Sequence, residues 1–89
     1  MQLDEVIRNR INYYLKLNNM KSWQLYRSSG LSKATVYSIM SGRSNLPSIG
    51  ILLHICEGLG ITLTEFFDDP TFADVVYEKT DARLKTKHE

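Results

Sequence analysis

Between Ser32 and Asn45 the chain gathers short polar side chains and two cations: Ser32, Lys33, Thr35, Tyr37, Ser38, Ser41, Arg43, Ser44 and Asn45. Hydroxyls, an ammonium, a guanidinium and an amide at this density suit hydrogen bonding to anionic oxygens and to the polar edges of planar ligands. They do not suit bond-making chemistry. His54 and His88 stand alone, and there is no Ser/His/Asp set, carboxylate pair at acid–base spacing or glycine-rich phosphate loop, so an enzyme is not expected. The single cysteine, Cys56, excludes an internal disulfide and a cysteine-based zinc cluster. It lies in the apolar run Ile51, Leu52, Leu53, Ile55, Leu59, where a thiol reads as a small buried hydrophobe. No metal and no cofactor is expected.

Eighty-nine residues with 43% hydrophobic content fit one small domain. The net charge of +1 hides an uneven distribution. Residues 1–43 hold seven Lys/Arg against two acids, a balance of +5, whereas 44–67 hold two acids and no base, and 68–89 hold four bases and six acids. A basic half beside a mildly acidic half suits a domain that meets a polyanion on one side. The opening Met-Gln-Leu-Asp-Glu is too acidic for a signal peptide, and no apolar stretch is long enough to span a bilayer. The expectation is a soluble, cytoplasmic protein with no membrane partner.

The elements that must position the polar cluster are all helical. Val6, Ile7, Ile11, Tyr14 and Leu15 recur at helical spacing from about Asp4 to Leu17, with Asp4 and Glu5 at the favourable end and Asn18-Asn19 as the stop. A short second helix spans about Ser22–Ser29, with Leu25 inward, and Gly30 interrupts it. Ser32 is the N-cap of a third helix over Lys33–Met40, whose Val36 and Ile39 face the core. Neither is stable alone, but joined by a tight turn and packed on a third they form a helix-turn-helix unit. Gly42 suits the end of the third helix, in a polar loop Ser41–Asn45. Pro47-Ser48 opens a fourth helix to Leu59 with a broad apolar face of Ile49, Leu52, Leu53, Ile55, Cys56 and Leu59. Thr62 and Glu65 make a capping box for a short fifth helix with Leu63, Phe66 and Phe67, which Asp68-Asp69-Pro70 ends. Trp23 is expected to pack on the core, with a place against the bound polyanion as the other reading, and at least one of Tyr13 and Tyr14 to be core. The division is a domain over 1–69 and a C-terminal extension over 70–89, expected to be partly disordered, in which Phe72, Val75, Val76 and Tyr77 can form a helical turn or dock and the polar remainder beyond Glu78 is expected to fray.

The run from Met20 to Phe67 resembles the lambda-repressor-like, Cro/XRE-type helix-turn-helix family. The resemblance rests on Leu25 five residues before Gly30, on Leu31-Ser32 and Thr35-Val36, on Ser41-Gly42-Arg43-Ser44-Asn45 followed by Pro47-Ser48-Ile49, and on the closing stretch Leu53 to Phe67. It implies an all-α, five-helix DNA-binding domain with a short C-terminal tail. Three positions depart from the pattern: Ser22 stands where Gln is usual, Lys21 where Ser or Thr caps, and Tyr26 where a small residue lets the second and third helices approach.

The function this implies is a sequence-specific transcriptional regulator, a repressor acting as a homodimer on double-stranded DNA with an inverted-repeat site. The third helix would enter the major groove. Base edges would be read by Ser32, Lys33, Ala34, Tyr37 and Ser38. Phosphates would be held by Ser22, Thr35, Ser41, Arg43, Ser44 and Asn45. Leu63, Phe66, Phe67, Phe72, Val75 and Val76 would form the dimer interface or close the core of their own chain. Two other readings stand beside it. One is an antitoxin that represses its own operon and grips a toxin as protein partner; the other is an adaptor that has lost DNA binding.

Overall fold

The computed structural model describes residues 1–42 and 46–77. Five helices run in order: α1 (Leu3–Leu17), α2 (Ser22–Ser29), α3 (Lys33–Ser41), α4 (Ile49–Leu59) and α5 (Leu63–Phe67), followed by a 3-10 turn over Pro70–Asp74. Local chemistry sets most of the boundaries. Ser32, Ser48 and Thr62 each accept, through the side-chain oxygen, the backbone N–H three residues on, satisfying a donor that the first turn of a helix leaves open. At α5 the box is reciprocal, because the Glu65 carboxylate accepts the Thr62 N–H at 2.8 Å. Lys21 has no acceptor to offer α2; instead the Gln24 side chain reaches back to the Lys21 N–H at 2.7 Å. Asn19 takes φ +53° after α1, and Gly30 takes φ +76° between α2 and α3, where any Cβ would be strained.

The core gathers one face from every helix. Ile11, Leu25, Cys56 and Phe66 have no exposed surface, and Ile7, Leu15, Val36, Ile39, Leu52, Ile55 and Leu59 surround them. Tyr14 is partly buried against this cluster, whereas Tyr13 is exposed. The centre of the packing is α2 against α4. A Cβ on Gly58 would stand 2.9 Å from the Ser29 backbone nitrogen and 3.0 Å from its Cα, so the two backbones meet there with no room for a side chain. Tyr26, the bulky residue on α2, is accommodated half-buried at the edge of the core. The apolar face of α4 is narrower than its sequence suggests. Ile49 is 64% exposed and Leu53 42% exposed, because α2 and α5 cover the Leu52–Ile55–Cys56–Leu59 side and leave the adjoining strip open.

Arg10 fastens the end of α5 to α1. Its Nε donates to the Phe66 carbonyl at 2.8 Å, and its Nη2 to the carbonyls of Glu65 at 2.8 Å and Asp68 at 3.0 Å. Its Nη1 meets the Asp69 carboxylate at 3.3 Å. The guanidinium also lies over the rings of Tyr13 and Tyr14. A five-residue helix cannot satisfy its own last carbonyls, and this cation does so from outside.

Beyond α5 the chain stays on the domain through Val76. Asp69 accepts the Thr71 N–H and opens the 3-10 turn, and Phe72 packs edge-on to Phe67 with ring centres 5.0 Å apart. The segment then meets the start of α1 as a single parallel bridge, with the Leu3 N–H donating to the Val76 carbonyl at 2.9 Å and the Val76 N–H to the Met1 carbonyl at 3.0 Å. The disorder expected past Glu78 falls outside the described residues.

Candidate nucleic-acid interface

The residues with recognition chemistry lie on two helices whose relative placement is fixed by the core. Val36 and Ile39 turn inward, so Lys33, Ala34 and Tyr37 emerge on the opposite side of α3, all exposed. Lys33 and Tyr37, four apart, stand one above the other. Ser22, the first residue of α2, is also exposed. A cleft of about 130 Å³ lies between the two helices, with Ser22 and Lys33 at its polar margin. Trp23, Tyr26, Val36, Tyr37 and Met40 supply its apolar wall.

Not every expected contact residue is equally available. The Ser32 hydroxyl caps α3 by accepting the Thr35 N–H at 3.1 Å and shares a 2.8 Å hydrogen bond with the Thr35 hydroxyl. Thr35 and Ser38 are half-buried. Ser41 is the last residue of α3 rather than the first of the loop; it is exposed and donates back to the Ser38 carbonyl. Arg43, Ser44 and Asn45 lie outside the described residues.

Two of the cations in the basic half are engaged within the fold. Arg10 is the latch on α5, and Arg8 pairs with Asp4 at 2.9 Å. The Arg8 hydrogen bond holds the Asp4 carboxyl below its ordinary range. Arg8 also lies against Gly42, whose Cβ would be 3.4 Å from its Nη1, and so sets a positive charge beside the C-terminal end of α3.

Trp23, expected to pack or to lie against the polyanion, is not enclosed by the core. Trp23 is 52% exposed and lines the same cleft as the similarly exposed Tyr37. Burial divides the six residues expected at a dimer surface or in the core. Phe66 has no exposed surface and is the largest fully buried side chain, so it closes the core of its own chain. Leu63 and Phe72 are partly buried against that core, and Val75 is half-buried. Phe67 and Val76 remain outward, 39% and 44% exposed.

Comparison with known families bears on what these helices do. The sequence model of the Cro/C1-type HTH DNA-binding domain matches residues 10–71. The chain belongs to the Cro/C1-type helix-turn-helix family. It is thereby placed among DNA-binding regulators, with α2 and α3 as the helix-turn-helix. The crystal structure of the prophage Lp1 protein 11 is similar to this Cro/C1-type domain. The TM-score is 0.73 and the identity 28%, covering 84% of this chain and 100% of that one. No curated protein matches the chain. Among the described residues no helix is long and apolar enough to cross a membrane, and no group of three His, Cys, Asp or Glu could hold a metal ion.

Proposed function

We propose that this Cro/C1-type protein is a sequence-specific transcriptional repressor that binds an inverted-repeat DNA site as a homodimer, with α3 of each subunit in the major groove. The observation that supports this reading is convergence. The exposed face of α3 and the first turn of α2 border one cleft, with Lys33 and Ser22 on its margin and no acidic residue lining it. A helix presented this way fits the major groove, while the opening N–H groups of the helix before it meet a phosphate.

Lys33 donates to guanine O6 or N7, and Ala34, Tyr37, Ser38 and Ser32 read neighbouring positions. Ser22, Ser41, Arg43, Ser44 and Asn45 hold phosphates on either flank. Thr35 contributes less than the others, since its hydroxyl is already bonded to Ser32. Pairing supplies the contact area that one recognition helix lacks. Phe67 and Val76, with the exposed Ile49 and Leu53 four apart on α4, provide apolar surface for it.

The test is selection from a randomised duplex pool at two salt concentrations, with wild type and Lys33→Ala/Arg43→Ala. The expected result is an enriched two-fold-symmetric motif, lost in the double variant. With about four to six phosphates neutralised per dimer, log K should fall against log salt with a slope of roughly −3.5 to −5.5. No enrichment from folded wild type, together with no effect of the variant, would overturn the reading and redirect the search to a protein partner.

A further inference from the structure

We infer that the cleft between α2 and α3 is a receptor for the C5-methyl group of a pyrimidine in the major groove, with Trp23 and Tyr37 as the residues that read it. The inference rests on the DNA-binding reading above and adds a specificity element to it. The cleft measures about 130 Å³ and is walled by Trp23, Tyr26, Val36, Tyr37 and Met40. Two of these, Trp23 and Tyr37, leave more than half of their surface in water, 52% and 58%. Exposed apolar surface of this size beside Ser22 and Lys33 suits an apolar ligand group.

What that partner can be is constrained by where the cleft lies. Its α3 wall is Lys33, Val36, Tyr37 and Met40, of which Lys33 and Tyr37 are exposed and belong to the face that α3 turns to DNA in the reading above. In the major groove the base edges present acceptors, amino donors and one apolar group, the pyrimidine C5-methyl. The charge agrees, since the lining includes Lys33 and no acid, as an occupant flanked by phosphates requires. The methyl enters between the Trp23 and Tyr37 rings, while Lys33 beside it donates to an adjacent acceptor. Recognition by Trp23 and Tyr37 is separate from any methyl contact made by Ala34, which does not line the cleft. Thymine and 5-methylcytosine carry the same group, and substitution separates them.

The experiment measures binding to the selected duplex with each thymine replaced in turn by deoxyuridine, and each cytosine in turn by 5-methylcytosine. It uses the full chain as wild type, Trp23→Ala and Tyr37→Ala, each checked for an unchanged thermal transition. At one position per half-site, removing the methyl should weaken wild-type binding about fourfold, the factor for returning one methyl-sized group to water. Trp23→Ala should bind both duplexes alike. Tyr37→Ala tests the same point should Trp23→Ala fail to fold. A gain at a methylated cytosine, erased by the same variants, assigns the cleft to that base instead of thymine. The inference is overturned if no methyl matters to wild type, or if the discrimination persists in full in both folded variants. Failure of wild type to bind any duplex would instead overturn the DNA-binding reading, and the inference with it.

Discussion

Removing the Arg10 guanidinium should cost this fold more than removing any other surface-reaching charge. The side chain is only 11% exposed and holds three backbone carbonyls at the end of α5 together with the Asp69 carboxylate. In Arg10→Met the stem is kept and the donors are lost. The Phe66 carbonyl is part-buried, and leaving it unpaired costs about 1–3 kcal/mol. The bonds to Glu65 and Asp68 lie in exposed surroundings, so their carbonyls regain water and contribute roughly 0.5–1 kcal/mol each. The ion pair with the partly exposed Asp69 adds at most about 1 kcal/mol. The expected loss is about 2–6 kcal/mol, and for a domain of this length each 1 kcal/mol lowers Tm by roughly 4–8 °C. Arg10→Lys should recover less than half, because an ammonium is a point donor and cannot span three carbonyls in the planar fan of a guanidinium. Urea denaturation of wild type and both variants at neutral pH measures this directly. A loss below about 1 kcal/mol in Arg10→Met, or full recovery in Arg10→Lys, would refute the latch. DNA affinity measured well below the transition should be unchanged in Arg10→Lys, since the side chain faces α5 and not the cleft.

Further outcomes follow from the same structure. Gly58→Ala should destabilise by about 1–2 kcal/mol, because the steric conflict with the Ser29 backbone exceeds the roughly 1 kcal/mol gained in helix propensity. Gly50→Ala, where the nearest atom is the Ser48 hydroxyl at 3.8 Å, should be neutral or stabilising by up to about 1 kcal/mol; equal effects of the two in urea titrations would contradict the packing described. The Asp69 carboxyl is lowered from 3.8 by its hydrogen bonds from Thr71, and Asp4 is lowered by Arg8, so both bind protons less readily in the folded state. Their contribution is therefore fully present above pH 3.8 and is lost as pH falls below it; Asp69→Asn should flatten that part of an acid titration of Tm. Burial pushes the Cys56 thiol up to about 11, so at pH 8 a thiol reagent should react only after unfolding, and rapid modification of the native protein would place Cys56 elsewhere.

Much of the fold is legible in the residues because its signals are local. Helix N-caps at Ser32, Ser48 and Thr62 act within three residues of themselves, and Gly30 and Asn19 carry the backbone conformation that ends or breaks a helix. Helical spacing likewise sets Val36 and Ile39 against Lys33, Ala34 and Tyr37, so the outward face of α3 can be named without coordinates. What periodicity cannot supply is the identity of the neighbour across each face. On α4 the apolar residues span a wider arc than its partners cover, and only packing decides that Leu52 is buried while Ile49 and Leu53 are not. Phe66 and Phe67 are adjacent in sequence, yet one fills the core and the other faces outward, because the single-turn α5 must follow α4 and be held by Arg10 from α1. Arg10 lies 56 residues from the carbonyl it bonds, beyond any local rule. Trp23 and Tyr37, 14 residues apart, become one cleft only through the placement of α2 against α3. The sequence alone determined the helices, their ends and their outward chemistry, whereas the tertiary structure decided which apolar side chains are left in water and which charges are spent inside, because both depend on contacts between distant segments.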